Sequence, residues 1–347
     1  MKDRLEYIDS LKGFAILLVV MGHMIAWNFS TIETIPSFEN IQSMSPTPIL
    51  LWKIIYSFHM PLFILISGYL FGFSHFKSFK DYLKKLYSKA LMLLIPWIIC
   101  GALLYLWRGS GLWNYWYLLI LFILIAIVGF EIFLIDKVKS KRLQIITEIF
   151  LLICTRLVIH VIPHFINNPY LNALGEWYPH LNWMFSYFAI GCFIMRHIDM
   201  KRLMNNHLYS ICFIYFIASF AFPKFSFSFN RLCLNFTSLS AIYCCFYLFI
   251  EYFKNEKVIN YLKTIGNRTL DIYIIHFFFV IQIIQVGDYF IYLSHMSHFG
   301  YVTCFVLQLT YSIFISLIVI TLSLYTSKLI RTSKILTIFL LGNKNYH

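Results

Sequence analysis

Three ionisable residues, Asp9, Lys12 and His23, lie in residues 8–28, an apolar stretch long enough to cross a bilayer. An ionisable side chain near the bilayer centre costs roughly 2.5–3.5 kcal/mol on insertion scales, so such residues usually face a bundle interior and have a function. Lys12 and His23 are close to three helical turns apart, so they share a face and lie roughly 16 Å apart along the axis. Asp9 is within pairing reach of Lys12. This face predicts a charged pair near one membrane surface and an imidazole deep inside.

Two further histidines, His59 and His276, are predicted at a similar depth, because a rise of about 1.5 Å per residue brings all three near the middle of the bilayer. Three imidazoles could bind zinc, but no carboxylate is expected at that depth, and we predict no metal. A neutral imidazole could instead deprotonate a hydroxyl that attacks an activated acyl group, or take the acyl group itself. The competing interpretation is that each histidine is a structural core residue whose hydrogen bonds are made within the protein. This interpretation is strongest for His59 and His276.

The elements that position these residues are predicted to be transmembrane helices. The chain of 347 residues is 60% hydrophobic and only 12% charged, with a mean hydropathy of +0.73. Apolar runs of about 20 residues fill it, which predicts an all-α, polytopic membrane bundle forming one domain over 1–347. No small-residue cleavage site follows the first run, so we expect a retained span. We place ten spans at residues 8–28, 50–73, 88–107, 114–135, 143–163, 180–196, 206–223, 232–253, 269–287 and 301–326.

The positive residues that produce the net charge of +13 concentrate on one side of the predicted membrane spans. Most of the 28 lysines and arginines fall in connections on one side of the predicted spans, which places both termini in the cytoplasm and argues against a nucleic-acid partner. The basic stretch 77–89 is predicted to be an interfacial helix held by anionic lipid, or alternatively a phosphate-binding rim. The eight cysteines lie in apolar runs without CxxC spacing and predict neither disulfides nor a thiolate metal site.

Five segments together carry a resemblance to a known family. They are YIDSLKGFAILLVVMGH, YSFHMPLFILISGYLFG, KKLYSKALMLLIPW, WNYWYLLILF and IGNRTLDIYIIHFFFV, in that order. The set resembles the membrane acyltransferase 3 family, and especially its fucose 4-O-acetylase-like branch. The resemblance implies a ten-helix core that moves acetyl from cytoplasmic acetyl-CoA to a glycan hydroxyl. The family's basic-x10-His signature falls on Lys12 and His23, the histidine being catalytic. The family's usual arginine is Lys12 here, which keeps the charge but loses the bidentate fork.

We therefore predict an integral-membrane O-acetyltransferase of a bacterial-type inner membrane, acting on a sugar of a surface polysaccharide or of its lipid-linked precursor. His23 is the predicted general base or acyl carrier, and Asp9 orients Lys12 or offsets its charge. The predicted contacts to acetyl-CoA are Lys12, Lys85 and Lys89, and Ser67, Gly68 and Tyr69 are predicted to line the acyl channel. The Ser67 side chain and the Gly68 backbone are predicted to donate hydrogen bonds to an oxyanion. The predicted acceptor-side residues are His59, Arg156, Glu176 and His276.

Two other classes of protein remain open at this stage. Ten spans with buried charge also suit a carrier or flippase that moves a glycolipid or acyl group without covalent chemistry. A non-catalytic scaffold of a glycan assembly complex is the third class. The predicted partners of the enzyme are acyl-CoA, the glycan acceptor and membrane lipid.

Overall fold

The fold is known from a computed structural model. It describes residues 6–29, 46–109, 111–165, 177–221, 231–253, 255–280, 283, 285–287, 289 and 301–342, and all regular secondary structure in these ranges is helical. The α-helices in chain order are α1 Glu6–Phe29, α2 Pro46–Phe71, α3 Phe79–Arg108, α4 Trp116–Ile135, α5 Lys141–Phe165, α6 Trp177–His197, α7 Met200–Leu203, α8 Asn206–Ala221, α9 Arg231–Tyr247, α10 Glu256–Gly266, α11 Thr269–Ile275, α12 Tyr301–Ile330 and α13 Lys334–Leu341. A 3-10 turn, Leu112–Tyr115, precedes α4, a π turn, Leu248–Tyr252, extends α9, and a 3-10 turn, His276–Phe279, extends α11.

The predicted membrane bundle is confirmed as an all-helical, polytopic architecture. Within the described ranges, 7 helices are long and apolar enough to span a bilayer: α1, α2, α3, α4, α5, α9 with its π turn, and α12. Each of the ten predicted spans overlaps a helix. Seven of them fall on the helices just named, and the remaining three fall on α6 and on two shorter apolar helices, Asn206–Phe220 and Thr269–Phe279. The side of the membrane on which the termini lie stays a prediction.

Two predicted elements are corrected by the structure. The basic stretch 77–89 is not a separate interfacial helix, because α3 runs unbroken from Phe79 and is capped by a reciprocal Ser78–Asp81 capping box. Its 30 residues reach about 45 Å, which is longer than a hydrocarbon core of about 30 Å. The predicted span 269–287 is also wrong in form, since its α-helix ends at Ile275 and changes to a 3-10 turn at His276.

The described chain divides into two compact units, Met1–Phe63 with Met204–Leu329, and Ile64–Leu203 with Ile330–His347. In the first unit α1 is largely buried and lies directly against α10. A Cβ on Gly13 would come within 2.0 Å of the Leu262 carbonyl oxygen, and one on Gly266 within 1.8 Å of the Asp9 carbonyl oxygen. The two backbones therefore touch without side chains between them, which fixes α1 along its first turns.

The second unit is organised around α4, which lies against α3, α5 and α6. Gly68 on α2 and Gly191 on α6 allow the closest approach in this unit. Added Cβ atoms would meet the Phe188 carbonyl oxygen at 2.1 Å and the Leu65 carbonyl oxygen at 2.2 Å, respectively. Small residues that let backbones meet are the usual means of packing helices inside a membrane, where apolar side chains gain little by leaving lipid.

Candidate active site

Two of the predicted histidines meet in the first unit. His23 of α1 and His276 at the end of α11 have their Nδ1 and Nε2 atoms 3.0 Å apart, within hydrogen-bonding distance. Their ring planes are 11° from parallel and their centroids 5.1 Å apart, an edge-to-edge arrangement that suits a hydrogen bond in the plane of the rings. His276 is fully buried, whereas His23 is only half-buried. The pair therefore joins one half-buried imidazole to one fully enclosed imidazole.

His276 lies at the residue where α11 changes to a 3-10 turn. The ring Nδ1 lies 3.0 Å from the Ile272 carbonyl oxygen, one turn earlier on α11. Phe277 packs beside both imidazoles, with ring centroids 4.9 Å from His23 and 4.1 Å from His276. A 3-10 turn is common at the end of an α-helix, and here it carries both His276 and Phe277.

The predicted charged pair lies on the same helix as His23. Lys12 Nζ is 2.7 Å from Asp9 Oδ1, with the side chains 21% and 32% exposed, so both remain open to solvent or substrate. A second pair, Lys263 on α10 with Glu6, lies beside it at 2.9 Å. Because α1 is continuous from Glu6 to Phe29, the cation and the imidazole keep the predicted separation of roughly 16 Å along one helix.

The hydrogen bond of His59 stays within its own helix and does not extend the His23–His276 bond. His59 is 3% exposed, its Nδ1 donates to the Ile55 carbonyl oxygen at 2.8 Å, and its ring contacts Tyr56 edge-on at 4.7 Å. Among the residues that the structure describes, no group of three His, Cys, Asp or Glu side chains is arranged to hold a metal ion.

The predicted acyl-channel residues lie in the second unit, on the last two turns of α2. The hydroxyls of Ser67 and Tyr117 are 3.0 Å apart, and Tyr69 is 4% exposed. The Gly68 carbonyl oxygen accepts from the Cys192 thiol at 3.1 Å and from the Gly72 N–H at 2.8 Å. This carbonyl oxygen is engaged within α2 and against α6, and the predicted oxyanion role of Gly68 stays a prediction.

The remaining predicted residues are distributed more widely within the second unit. Lys85 is exposed and Lys89 half-buried, both on the basic first half of α3. Arg156 on α5 is hydrogen-bonded through Nη1 to Asn182 Oδ1 on α6. Glu176 lies outside the described residues. The assigned roles of these residues stay predictions.

A buried ion-pair network in the second unit was missed by the sequence analysis. Arg196 on α6 donates to Asp136 at 3.0 Å and to Glu148 at 3.1 Å, and His197 Nε2 lies 2.7 Å from Glu148. Their side chains are at most 12% exposed. The signal was Glu148, an acidic residue inside a predicted span, because a charge placed there must find a partner. A cavity of about 480 Å³ lies beside it and is lined by Gly72, Phe73, His75, Phe76, Lys77, Asp136, Lys141, Gln144, Met195, Arg196 and His197.

Fold and site together define a polytopic, helical integral-membrane protein with a half-buried imidazole in a bundle unit. A family described as an acyltransferase domain, the acyltransferase 3 family, matches residues 5–328, and the chain belongs to this family. The nodulation protein NolL of Sinorhizobium fredii is 33% identical over 96 residues, which are 28% of this chain and 23% of NolL. The chain thus matches about a quarter of the length of that relative. No solved structure matches the chain.

Proposed function

We propose that this protein is an integral-membrane O-acetyltransferase that moves an acetyl group from cytoplasmic acetyl-CoA to a sugar hydroxyl. Membership of the acyltransferase family supports the reaction class. The observation that carries the assignment to a site is His23, an imidazole inside a membrane-spanning helix that is half-buried rather than sealed and has a polar partner at one ring nitrogen. A general base needs this combination of access and fixed orientation.

In the proposed reaction the acceptor hydroxyl oxygen attacks the thioester carbonyl carbon while His23 takes the hydroxyl proton. The C–O bond forms, the C–S bond breaks, and the proton on His23 passes to the leaving thiolate, which departs as the free thiol. The products are the acetylated sugar and CoA, and the imidazole returns to its starting state. If His23 instead takes the acetyl group on its ring nitrogen, the same transfer occurs in two steps.

Lys12 is proposed to attract the anionic end of the donor. Its ammonium group is partly exposed beside Asp9, roughly 16 Å along α1 from His23. Lysine suits phosphate as a point charge, and a cation at the membrane surface meets a donor that cannot itself enter the apolar core. Lys85 and Lys89 on α3 are proposed to contribute to the same attraction. The proposal also includes an acyl channel lined by Ser67, Gly68 and Tyr69. The proposed acceptor contacts are His59, Arg156 and Glu176.

The decisive experiment measures acetyl transfer by purified protein in liposomes, with labelled acetyl-CoA and a lipid-linked glycan acceptor. We expect wild type to transfer or hydrolyse the acetyl group and His23→Ala to lose at least about 100-fold in rate, as removal of a general base does. His160→Ala is the matched control, because His160 is an exposed histidine of α5. If neither wild type nor His23→Ala reacts with acetyl-CoA and both move glycolipid across the membrane, the protein is a carrier and not an enzyme.

The acceptor sugar can be identified in cells that make the protein. Mass analysis of surface glycans with and without the protein should show a difference of one acetyl group on one sugar. A difference of a longer acyl group would keep the reaction class and correct the donor. No mass difference in any surface glycan would contradict a polysaccharide acceptor.

A further inference from the structure

The two imidazoles and one backbone carbonyl form a directional chain. The Ile272 carbonyl oxygen lies 3.0 Å from Nδ1 of His276, and Nε2 of His276 lies 3.0 Å from Nδ1 of His23. A carbonyl oxygen can only accept a hydrogen bond. The proton of this first bond therefore resides on His276 Nδ1, which fixes the tautomer of His276 without reference to any substrate.

The second bond takes its direction from the first. A neutral imidazole carries one N–H, so with Nδ1 protonated the Nε2 of His276 is a bare acceptor. An imidazolium is expensive inside a membrane-spanning segment without a counter-charge, and no described carboxylate contacts either ring. His23 must then donate through Nδ1–H. The nitrogen of His23 that keeps its lone pair is Nε2.

The difference in burial separates the roles of the two rings. His276 is 0% exposed, so its ring is reached by His23 and its own helix rather than by a substrate. His23 is half-buried. This arrangement does not suit the acceptor-binding role predicted for His276 from the sequence.

We propose that His276 is a positioning residue that commits His23 to react through Nε2. Resting on the proposed acetyl transfer, the chain of bonds assigns the base, because Nε2 takes the hydroxyl proton while Nδ1–H stays bonded to His276. The imidazolium that forms then has N–H groups at both nitrogens, and His276 Nε2 continues to accept from one of them. The proton leaves again from Nε2 to the thiolate, and His276 changes its protonation at no step.

The tautomer is tested without any assay of activity. Magic-angle-spinning NMR of protein with ¹⁵N-labelled histidine, in liposomes at neutral pH, distinguishes protonated from bare ring nitrogens. The His23 signals are assigned by their loss in His23→Gln. Wild type should show His23 protonated at Nδ1 and bare at Nε2, and His276→Leu should lose that single tautomer. His23 protonated at Nε2 in wild type would overturn the inference even if the protein transfers acetyl, and the expected spectrum in a protein without transferase activity would overturn only the proposed function.

The kinetic test compares His276→Leu with His276→Gln. Leucine removes the acceptor, whereas the glutamine amide oxygen can still accept from His23. We expect His276→Leu to lower kcat at least about tenfold with KM for donor and acceptor nearly unchanged, since general acid–base catalysis contributes about 10²–10⁴-fold in all. Across the three proteins kcat should follow the fraction of His23 protonated at Nδ1. A folded His276→Leu with wild-type kcat would refute the positioning role, as would a kcat that falls only in proportion to the amount of folded protein.

Discussion

At the scale of single residues, Lys12 differs from the arginine that the family resemblance implies at this position. The structure holds its ammonium group 2.7 Å from Asp9 and partly exposed. An exposed ion pair of this kind contributes about 0–1 kcal/mol to stability, so a substitution of Lys12 can test the proposed donor role with little effect on the fold. An arginine at this position could form two parallel hydrogen bonds with an anionic group of acetyl-CoA, whereas the ammonium group of Lys12 acts as a point charge.

We expect Lys12→Gln to raise KM for acetyl-CoA about tenfold, because a hydrogen bond to a charged group contributes about 1.5–3 kcal/mol. Lys12→Arg should keep or lower that KM, and the thermal midpoint should hardly change in either variant. Initial rates measured at varied acetyl-CoA concentration determine this KM. Lys263→Gln is the control, since Lys263 pairs with Glu6 on the neighbouring helix and lacks the predicted donor role. An unchanged KM in Lys12→Gln would remove Lys12 from donor binding.

At the scale of elements, the contact of α10 with α1 positions both members of the charged pair. α10 was not predicted as a helix, because its eleven residues are too short and too polar to read as a span. It is amphipathic, with Leu262 and Ile265 buried and lysines outside, and its Asn255 cap accepts from the Lys257 and Val258 N–H groups. The glycines Gly13 and Gly266 then decide how closely it lies on α1.

Gly13→Ala is expected to destabilise the protein by about 1–3 kcal/mol, the usual cost of overpacking. The new Cβ would lie 2.0 Å from the Leu262 carbonyl oxygen, which is backbone and cannot rotate away. Thermal unfolding in detergent measures the effect. In the control Gly129→Ala the nearest atoms are ring carbons of Tyr82 and Phe71 at 3.1 and 3.2 Å, which can shift by a few tenths of an ångström. Equal midpoints for Gly13→Ala and wild type would show that the two helices do not pack this closely.

At the scale of the whole molecule, apolar length and charge bias were sufficient to predict the helical bundle and most span positions. Lys12 with Asp9 was predictable because i,i+3 spacing on one helix is local. The His23–His276 contact joins residues far apart in sequence, and no local spacing predicts it. The Asp136–Arg196–Glu148 network was missed for the same reason, since a partner on another helix is invisible until the helices are packed. The change from α-helix to 3-10 turn at His276 was also not predictable, because residues 269–279 contain no proline or glycine.

The membrane orientation decides from which side a donor can reach Lys12. α10 contacts the start of α1 through Lys263 and Glu6, so residues 255–266 lie on the same side as the amino-terminal end of α1. The charge bias predicts that this side is the cytoplasm, where acetyl-CoA is made available. Single cysteines are introduced at Lys257 and at Ser37, a position that the sequence places in an outer loop, in a background whose eight native cysteines are replaced. A membrane-impermeant maleimide should label Ser37→Cys in intact cells and Lys257→Cys only after permeabilisation. The reverse pattern would put Lys12 on the outer face and exclude a cytoplasmic donor, because the charged end of acetyl-CoA does not cross the hydrocarbon core unaided.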